Sequence, residues 1–215
     1  MKTFIGRAVA TALLGLCFAL TISADESEQK LIDPGYRPPS DLSSAFVKRI
    51  SSAEVAVFPT IIRTPEDTSY SSASRQQAVE FLGKNKLGTG KAADIQFDMG
   101  DLQGKSQWEM FQSSMQTIGK QLGEHAVEGD YIIVLEILIP PGRSEAIEVF
   151  GIHCFVLEPG GANAFSFLLN SHHKAFVDAN LRTSDVSQQG KEWLAIESTK
   201  VVLTALKKQV DQVRK

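Results

Sequence analysis

The sequence predicts one α/β domain: a mixed sheet containing a three-stranded antiparallel meander, with three helices packed on it in the order β-α-β-α-β-β-β-α. Three observations carry this. The run Asp130–Ile139, DYIIVLEILI, is almost continuously apolar, as a central strand covered on both faces must be. Trp108, Phe111, Met115, Ile118 and Leu122 step along the chain by three and four, the spacing of a helix with a single apolar stripe. Finally, Pro140-Pro141-Gly142 and Glu158-Pro159-Gly160-Gly161 separate three apolar runs by short turns, and strands joined in that way pair antiparallel.

In chain order, residues 1–24 have the three parts of an export signal. Lys2 and Arg7 make a basic start, Ala8–Ile22 an apolar stretch, and Ser23 and Ala24 small residues before acidic Asp25. The stretch is shorter than the roughly 20 apolar residues of a membrane helix and has no basic flank on its far side, so cleavage after Ala24 is expected. Cys17 follows Leu14-Gly15-Leu16 and precedes the apolar Phe18–Ile22, which departs from the small-residue pattern and polar continuation of a lipidated cysteine. Residues 25–41, with Pro34, Pro38 and Pro39 around Gly35, read as an extended lead-in. The α/β domain is expected to occupy residues 42–215.

Within that domain Leu42–Ile50 suits a short helix. Glu54–Thr60, EVAVFPT, alternates Val55 and Val57 with Ala56 and Phe58 as a buried first strand, with Pro59 marking its end. A polar loop, 63–70, leads to Ser71 or Ser72, either able to cap a helix carrying Ala78, Val79, Phe81 and Leu82. Ala93–Met99 places Ile95, Phe97 and Met99 opposite Asp94, Gln96 and Asp98, the pattern of a half-buried edge strand. The striped helix Lys105–Gly123 and the strand Asp130–Ile139 follow. Glu145–Leu157 and Asn163–Asn170 complete the meander, and Lys191–Val213 carries Ile196, Leu203, Leu206 and Val210 at helical spacing for a long last helix.

Charge and cysteine usage bound the function. Removal of Lys2 and Arg7 with the signal takes the net charge from -3 to -5, and the basic residues are dispersed, which argues against a nucleic-acid partner. Of the two cysteines only Cys154 follows the signal, so stability rests on a core and not on an internal disulfide.

No chemical motif assigns a catalytic, cofactor or metal site. FLGKNKLGTGKA resembles a phosphate loop, but Asn85 stands where the first glycine is needed and Ala92 where a hydroxyl is needed, and the segment follows a helix. His153 and Cys154 are adjacent on one strand and so point to opposite faces. With a turn at Pro159-Gly160, His153 falls opposite a residue near Phe167 and His172 lies well beyond, so these groups do not gather on one zinc ion. Asp94, Asp98 and Asp101 lack the spacing of a calcium loop. Cys154 sits among apolar neighbours as a buried, inert thiol would. The remaining candidate is the polar cluster Asn170-Ser171-His172-His173-Lys174 at a strand exit, with Asn170, His172, His173 and Lys174 as its binding groups.

EVAVFPT, the helix ending FLGKN, DYIIVLEILI and GIHCFVLEPGG together resemble extracytoplasmic α/β domains of bacterial envelope proteins. These are the curli-secretion pore lipoprotein, the lipoprotein activators of penicillin-binding proteins, and the N-terminal domain of the Tol translocation protein; the resemblance spans residues 53–210. It implies a domain that binds an envelope protein partner without performing chemistry, with no cofactor and no catalytic residue to carry across. The chain departs from those families in lacking a lipidation cysteine and a membrane-inserting hairpin.

The expectation is therefore a secreted or periplasmic binding or assembly module with no stable membrane span after signal removal. Its alternative is a secreted hydrolase with its site at Asn170–Lys174. An enzyme should show titratable side chains converging in a concave site, a protein-binding module an apolar patch or free strand edge, and a small-ligand carrier a cavity of several hundred Å3.

Overall fold

The structure is a computed structural model that describes residues 40–141 and 145–214. The predicted signal peptide, lead-in and Cys17 lie outside the described residues, as does Gly142 of the first predicted turn. The fold is the predicted mixed α/β domain. Strand β5 (Tyr131–Leu138) is buried at every position and forms the axis of a seven-stranded sheet. Along one edge it pairs in parallel with β1 (Glu54–Val57) and then with β2 (Thr60–Arg63). Outside these lie β4 (Thr89–Ala92), parallel to β1, and β3 (Thr68–Ser71), antiparallel to β2. On the other edge β5 pairs antiparallel with β7 (Gly151–Leu157), which pairs antiparallel with β8 (Phe167–Asn170), and this is the predicted meander. Two short strands, β6 (Ile147–Glu148) and β9 (Arg182–Thr183), make a separate ribbon.

Helices cover both faces. On one side α1 (Ser40–Arg49), α2 (Ser72–Lys84), α4 (Lys174–Ala179) and α5 (Gln188–Val213) pack Phe46, Leu82, Phe176, Val202 and Leu206 against Val55, Ile133, Leu135 and Cys154. On the other, α3 (Gln107–Gly123) and the segment 93–99 pack Phe111, Ile118, Leu122 and Phe97 against Ala56, Phe58, Ile132, Val134 and Phe155.

Local chemistry accounts for the helix starts. Ser71 accepts from the Ser74 amide and donates to Glu192 Oε1 at 2.6 Å, so one hydroxyl caps α2 and ties it to α5. Ser106 and Glu109 form a reciprocal capping box at α3, with Glu109 accepting from both the amide and the hydroxyl of Ser106. These bonds, led by the Ser106 backbone amide, hold the Glu109 carboxyl below its ordinary range. The loop after β7 then fixes the far half of α3 by close backbone approach. A Cβ on Gly119 would stand 2.8 Å from the Gly161 carbonyl oxygen, and Gly161 has φ +82. Both positions therefore require glycine.

Several expected elements differ. Ala93–Met99 is not a strand: pairing with β1 takes place at Thr89–Ala92, and 93–99 runs irregularly under α3 with only Phe97 fully buried. Its alternation reflects a segment half buried by a helix, which sheet pairing does not distinguish. The polar loop 63–70 holds the turn of the β2–β3 hairpin and most of β3, whose Thr, Ser and Tyr side chains lack an apolar signature. Glu145–Leu157 is divided, because β6 pairs with β9 and only Gly151–Leu157 joins the sheet.

Pro59 interrupts the first strand without ending it. Val57 stands opposite Ile133 and Ile61 opposite Glu136, so four steps on one side match three on the other. The extra residue at Phe58–Pro59 is a bulge, placed where proline has no amide to give to the ladder.

The α3 stripe is core. Phe111 stacks on Phe155 with ring centroids 5.2 Å apart, Trp108 stacks on Phe111 at 5.3 Å, and the stripe reaches over β7 as well as β5. Phe111→Ala should accordingly lower the unfolding free energy by roughly 3–5 kcal/mol, measured by equilibrium denaturation. An unchanged midpoint would show that the ring packs elsewhere.

Candidate functional site

The bulge decides which side chains meet beneath α3. Before it, even-numbered residues Ala56 and Phe58 face α3; after it, odd-numbered Ile61 does, while Ile62 faces the other core and Thr60 reaches Thr199 of α5. Arg63 thereby arrives on the same face as Glu136 of β5 and His153 of β7, which are register partners. The result is a buried ionic cluster. Arg63, Glu136, His153 and Ser114 are 5%, 0%, 1% and 2% exposed.

Glu136 is its centre. Its Oε1 accepts from Ser114 Oγ at 3.0 Å and lies 3.6 Å from Arg63 Nη1, and its Oε2 accepts from His153 Nδ1 at 2.7 Å. The imidazole stands edge-on to Phe111 at 5.2 Å. A carboxylate wholly removed from water needs such partners, since burial of an unpaired charge is strongly unfavourable. Arg63 is only partly satisfied: Nη2 donates to the Gly100 carbonyl, whereas Nε and Nη1 are buried without a hydrogen-bond acceptor.

Above Arg63 opens a cleft of about 780 Å3. It lies at the C-terminal ends of the parallel strands β2 and β5, where the chain leaves the sheet in two loops and where α/β folds commonly place ligands. One wall is the β2–β3 turn, Thr64–Thr68; another is the segment Met99–Gly104; Leu138, Ile139, Pro140, Pro141 and Phe150 form the back, and Met110 of α3 the side. The 93–104 segment is tied down at several points. Tyr70 Oη donates to Phe97 O at 2.6 Å, Arg75 donates to Ala93 O at 3.0 Å, and Gln121 exchanges two hydrogen bonds with the Asp98 backbone. Burial is the main influence on the Tyr70 phenol and pushes its pKa up.

The residues singled out in the sequence sit nearby but do not line this cleft. Asn170 ends β8 and is buried; its amide nitrogen donates to Gln107 Oε1 at 2.8 Å, and Gln107 donates to the Phe150 carbonyl at 2.7 Å. Asn170 thus stands behind the cleft's back wall. Its side-chain Oδ1 accepts from the His172 backbone amide, and its backbone amide donates to His173 Nδ1, which shapes the turn into α4. The His172 side chain is exposed and Lys174 pairs with Asp178 at 2.6 Å on the surface. His153 and Cys154 face opposite cores, and His153 is register partner to Leu168, next to Phe167, as the turn at Pro159-Gly160 predicts. Among the described residues no three His, Cys, Asp or Glu side chains gather as a metal site.

Sequence reasoning missed Arg63 and Glu136, although a signal existed. Glu136 is a single charge inside YIIVLEILI and Arg63 follows the apolar pair Ile61-Ile62, so each is a charge that a buried strand must compensate.

No protein-family model matches the chain, and no curated protein matches it. Among solved structures it is similar to the PelC dodecamer from Paraburkholderia phytofirmans and to a point variant of that protein. Each is 12% identical, with a TM-score of 0.32, over 71% of this chain and 86% of that chain. A likeness so distant carries no inference about function.

Glu136→Gln should destabilise the fold by about 3–5 kcal/mol, because Arg63 is left buried without a counter-charge; thermal or denaturant unfolding measures it, and a loss under 1 kcal/mol would show that water reaches the cluster. Cys154 is fully buried, which pushes its thiol pKa well up. The unfolded thiol releases its proton near about 8.5 while the folded one keeps it, so stability should be full below that pH and fall by about 1.4 kcal/mol per unit above it. Comparing wild type with Cys154→Ala between neutral and alkaline pH isolates this slope; identical slopes would contradict it.

Proposed function

We propose that the chain is an extracytoplasmic binding module of the cell envelope, secreted or periplasmic, that holds its ligand in the cleft at the ends of β2 and β5 and performs no chemistry on it. The cleft carries this reading. Its volume of about 780 Å3 falls in the range of small-ligand sites, and it sets an apolar back of Leu138, Ile139 and Phe150 against a polar rim and the charged Arg63 at its base. The titratable cluster beneath it supports binding over catalysis. Glu136 and His153 turn toward one another and are sealed under α3, so they hold the sheet and α3 together without meeting a substrate. Export rests on the basic, apolar and small-residue pattern of residues 1–24. The resemblance of the element order to envelope domains agrees with that compartment.

Fractionation of the source cells should recover the chain in the periplasm or medium, beginning at or near Asp25. Equilibrium dialysis of the purified chain against a small-molecule extract of the envelope should enrich a compound, identified by mass spectrometry, and Gln103→Trp at the exposed lip of the cleft should abolish the enrichment. A cytosolic product starting at Met1 would sink the export reading. No enrichment, or equal enrichment by Gln103→Trp, would sink the cleft as the site.

A further inference from the structure

We infer that the cleft takes a zwitterionic ligand of amino-acid or short-peptide class, with its carboxylate seated against Arg63 and its ammonium held at the rim by Asp67 and Asp101. This rests on the binding reading above and deepens it by naming the ligand's chemistry.

The anion-binding pole is Arg63. Its Nε and Nη1 are buried yet lack an acceptor, a state that buried donors in folded proteins seldom occupy. The nearest carboxylate, Glu136, stands 3.6 Å from Nη1 and is already engaged by Ser114 and His153, so it does not saturate the guanidinium. The third nitrogen, Nη2, reaches out of the core to the Gly100 carbonyl on the cleft's wall. A ligand carboxylate is a stronger acceptor for guanidinium than a backbone carbonyl. It binds by replacing Gly100 on Nη2 with one oxygen and offering the other to Nε along the same edge of the guanidinium, while Nη1 stays turned toward Glu136. Gly100 is exposed, and a side chain built on it would meet open space.

The rim has the opposite sign. Glu66, Asp67 and Asp101 line the cleft and are exposed, and Arg63 is the sole cation lining it among the described residues. Lys105 lies close by, but its ammonium is held by the Asp101 carbonyl and by Ser113 Oγ. A simple anion entering would meet this acidic field, and a simple cation would leave Arg63 unsatisfied; low-dielectric walls strengthen both effects. A molecule with separated carboxylate and ammonium satisfies both poles. Met99, Met110, Leu138 and Phe150 offer the apolar body of such a ligand a place to bury.

Isothermal titration of the purified chain with three probes tests this: Leu-Leu with free termini, N-acetyl-Leu-Leu, and Leu-Leu-amide. Leu-Leu should bind, the amide about tenfold or more weaker, and the acetylated form roughly fivefold weaker. Asp67→Asn/Asp101→Asn removes two rim charges and keeps the Oδ1 that accepts from the Gln103 amide, and should weaken Leu-Leu roughly fivefold while N-acetyl-Leu-Leu, freed of the rim's repulsion, binds as well or better. Arg63→Lys keeps the charge beside Glu136 but removes the planar fork of guanidinium donors, and should weaken Leu-Leu and narrow its advantage over Leu-Leu-amide several-fold. Equal affinities of the three probes for wild type, no binding of Leu-Leu, or an unaltered Leu-Leu affinity in the rim variant would overturn the inference. Enrichment from extract of a compound lacking either charge would also overturn it while the cleft itself stands as the site. A chain that enriches nothing fails at the earlier reading.

Discussion

One extra residue at Phe58–Pro59 governs the interior of this protein. Side chains alternate along a strand with a period of two, so a single inserted residue exchanges the faces of everything after it. Without the bulge Arg63 would face α5, and Glu136 would sit under α3 with no cation on its side. With it, Arg63 and Glu136 meet over 3.6 Å inside the sheet's most buried region, and Thr60 instead reaches Thr199 in the opposite core. Proline is suited to the position because the ladder there needs no amide from it, while Phe58 still donates to Ile133 and keeps the two half-strands on one partner.

The same cluster organises the second layer. Ser114 of α3 donates to Glu136, Phe111 packs edge-on to His153 and flat on Phe155, and Gly119 lets the loop at Gly161 approach within backbone contact. Arg63 then extends from the cluster to Gly100 and joins the 93–104 segment to the sheet. The cleft is what remains between that segment, the β2–β3 turn and the chain leaving β5. Its base is a charged group of the core, so occupancy of the cleft and stability of the core share one side chain. Binding a group that satisfies Arg63 stabilises the folded state by the usual coupling of a ligand to the form that holds it.

The elements legible in the sequence are those whose burial leaves a periodic trace. The α3 stripe runs from Trp108 to Leu122, α5 shows Leu203, Leu206 and Val210, and the turn at Pro159–Gly161 placed His153 within one residue of its partner. The misread elements have polar or mixed composition. Strand β3 is held at the sheet edge by pairing with β2, itself anchored on β5, and not by an apolar pattern of its own, and 93–99 alternates because one side of an irregular segment touches α3. Asn170 was legible as a polar group at a strand end, but its partner Gln107 lies 63 residues away in the chain and no local pattern links them.

Local composition by itself determined the class of fold, the meander, the main helical face and the inert position of Cys154, because each follows from hydrophobic period or from turn chemistry within a few residues. It also held Glu136 and Arg63 in plain view as charges within apolar strands. Only the tertiary structure decided that they face one another, since that depends on a one-residue slip between strands distant in sequence. It alone decided, too, that the loops after β2 and before α3 enclose a cleft over them. A cleft is the space between segments that share no local pattern, and packing creates it.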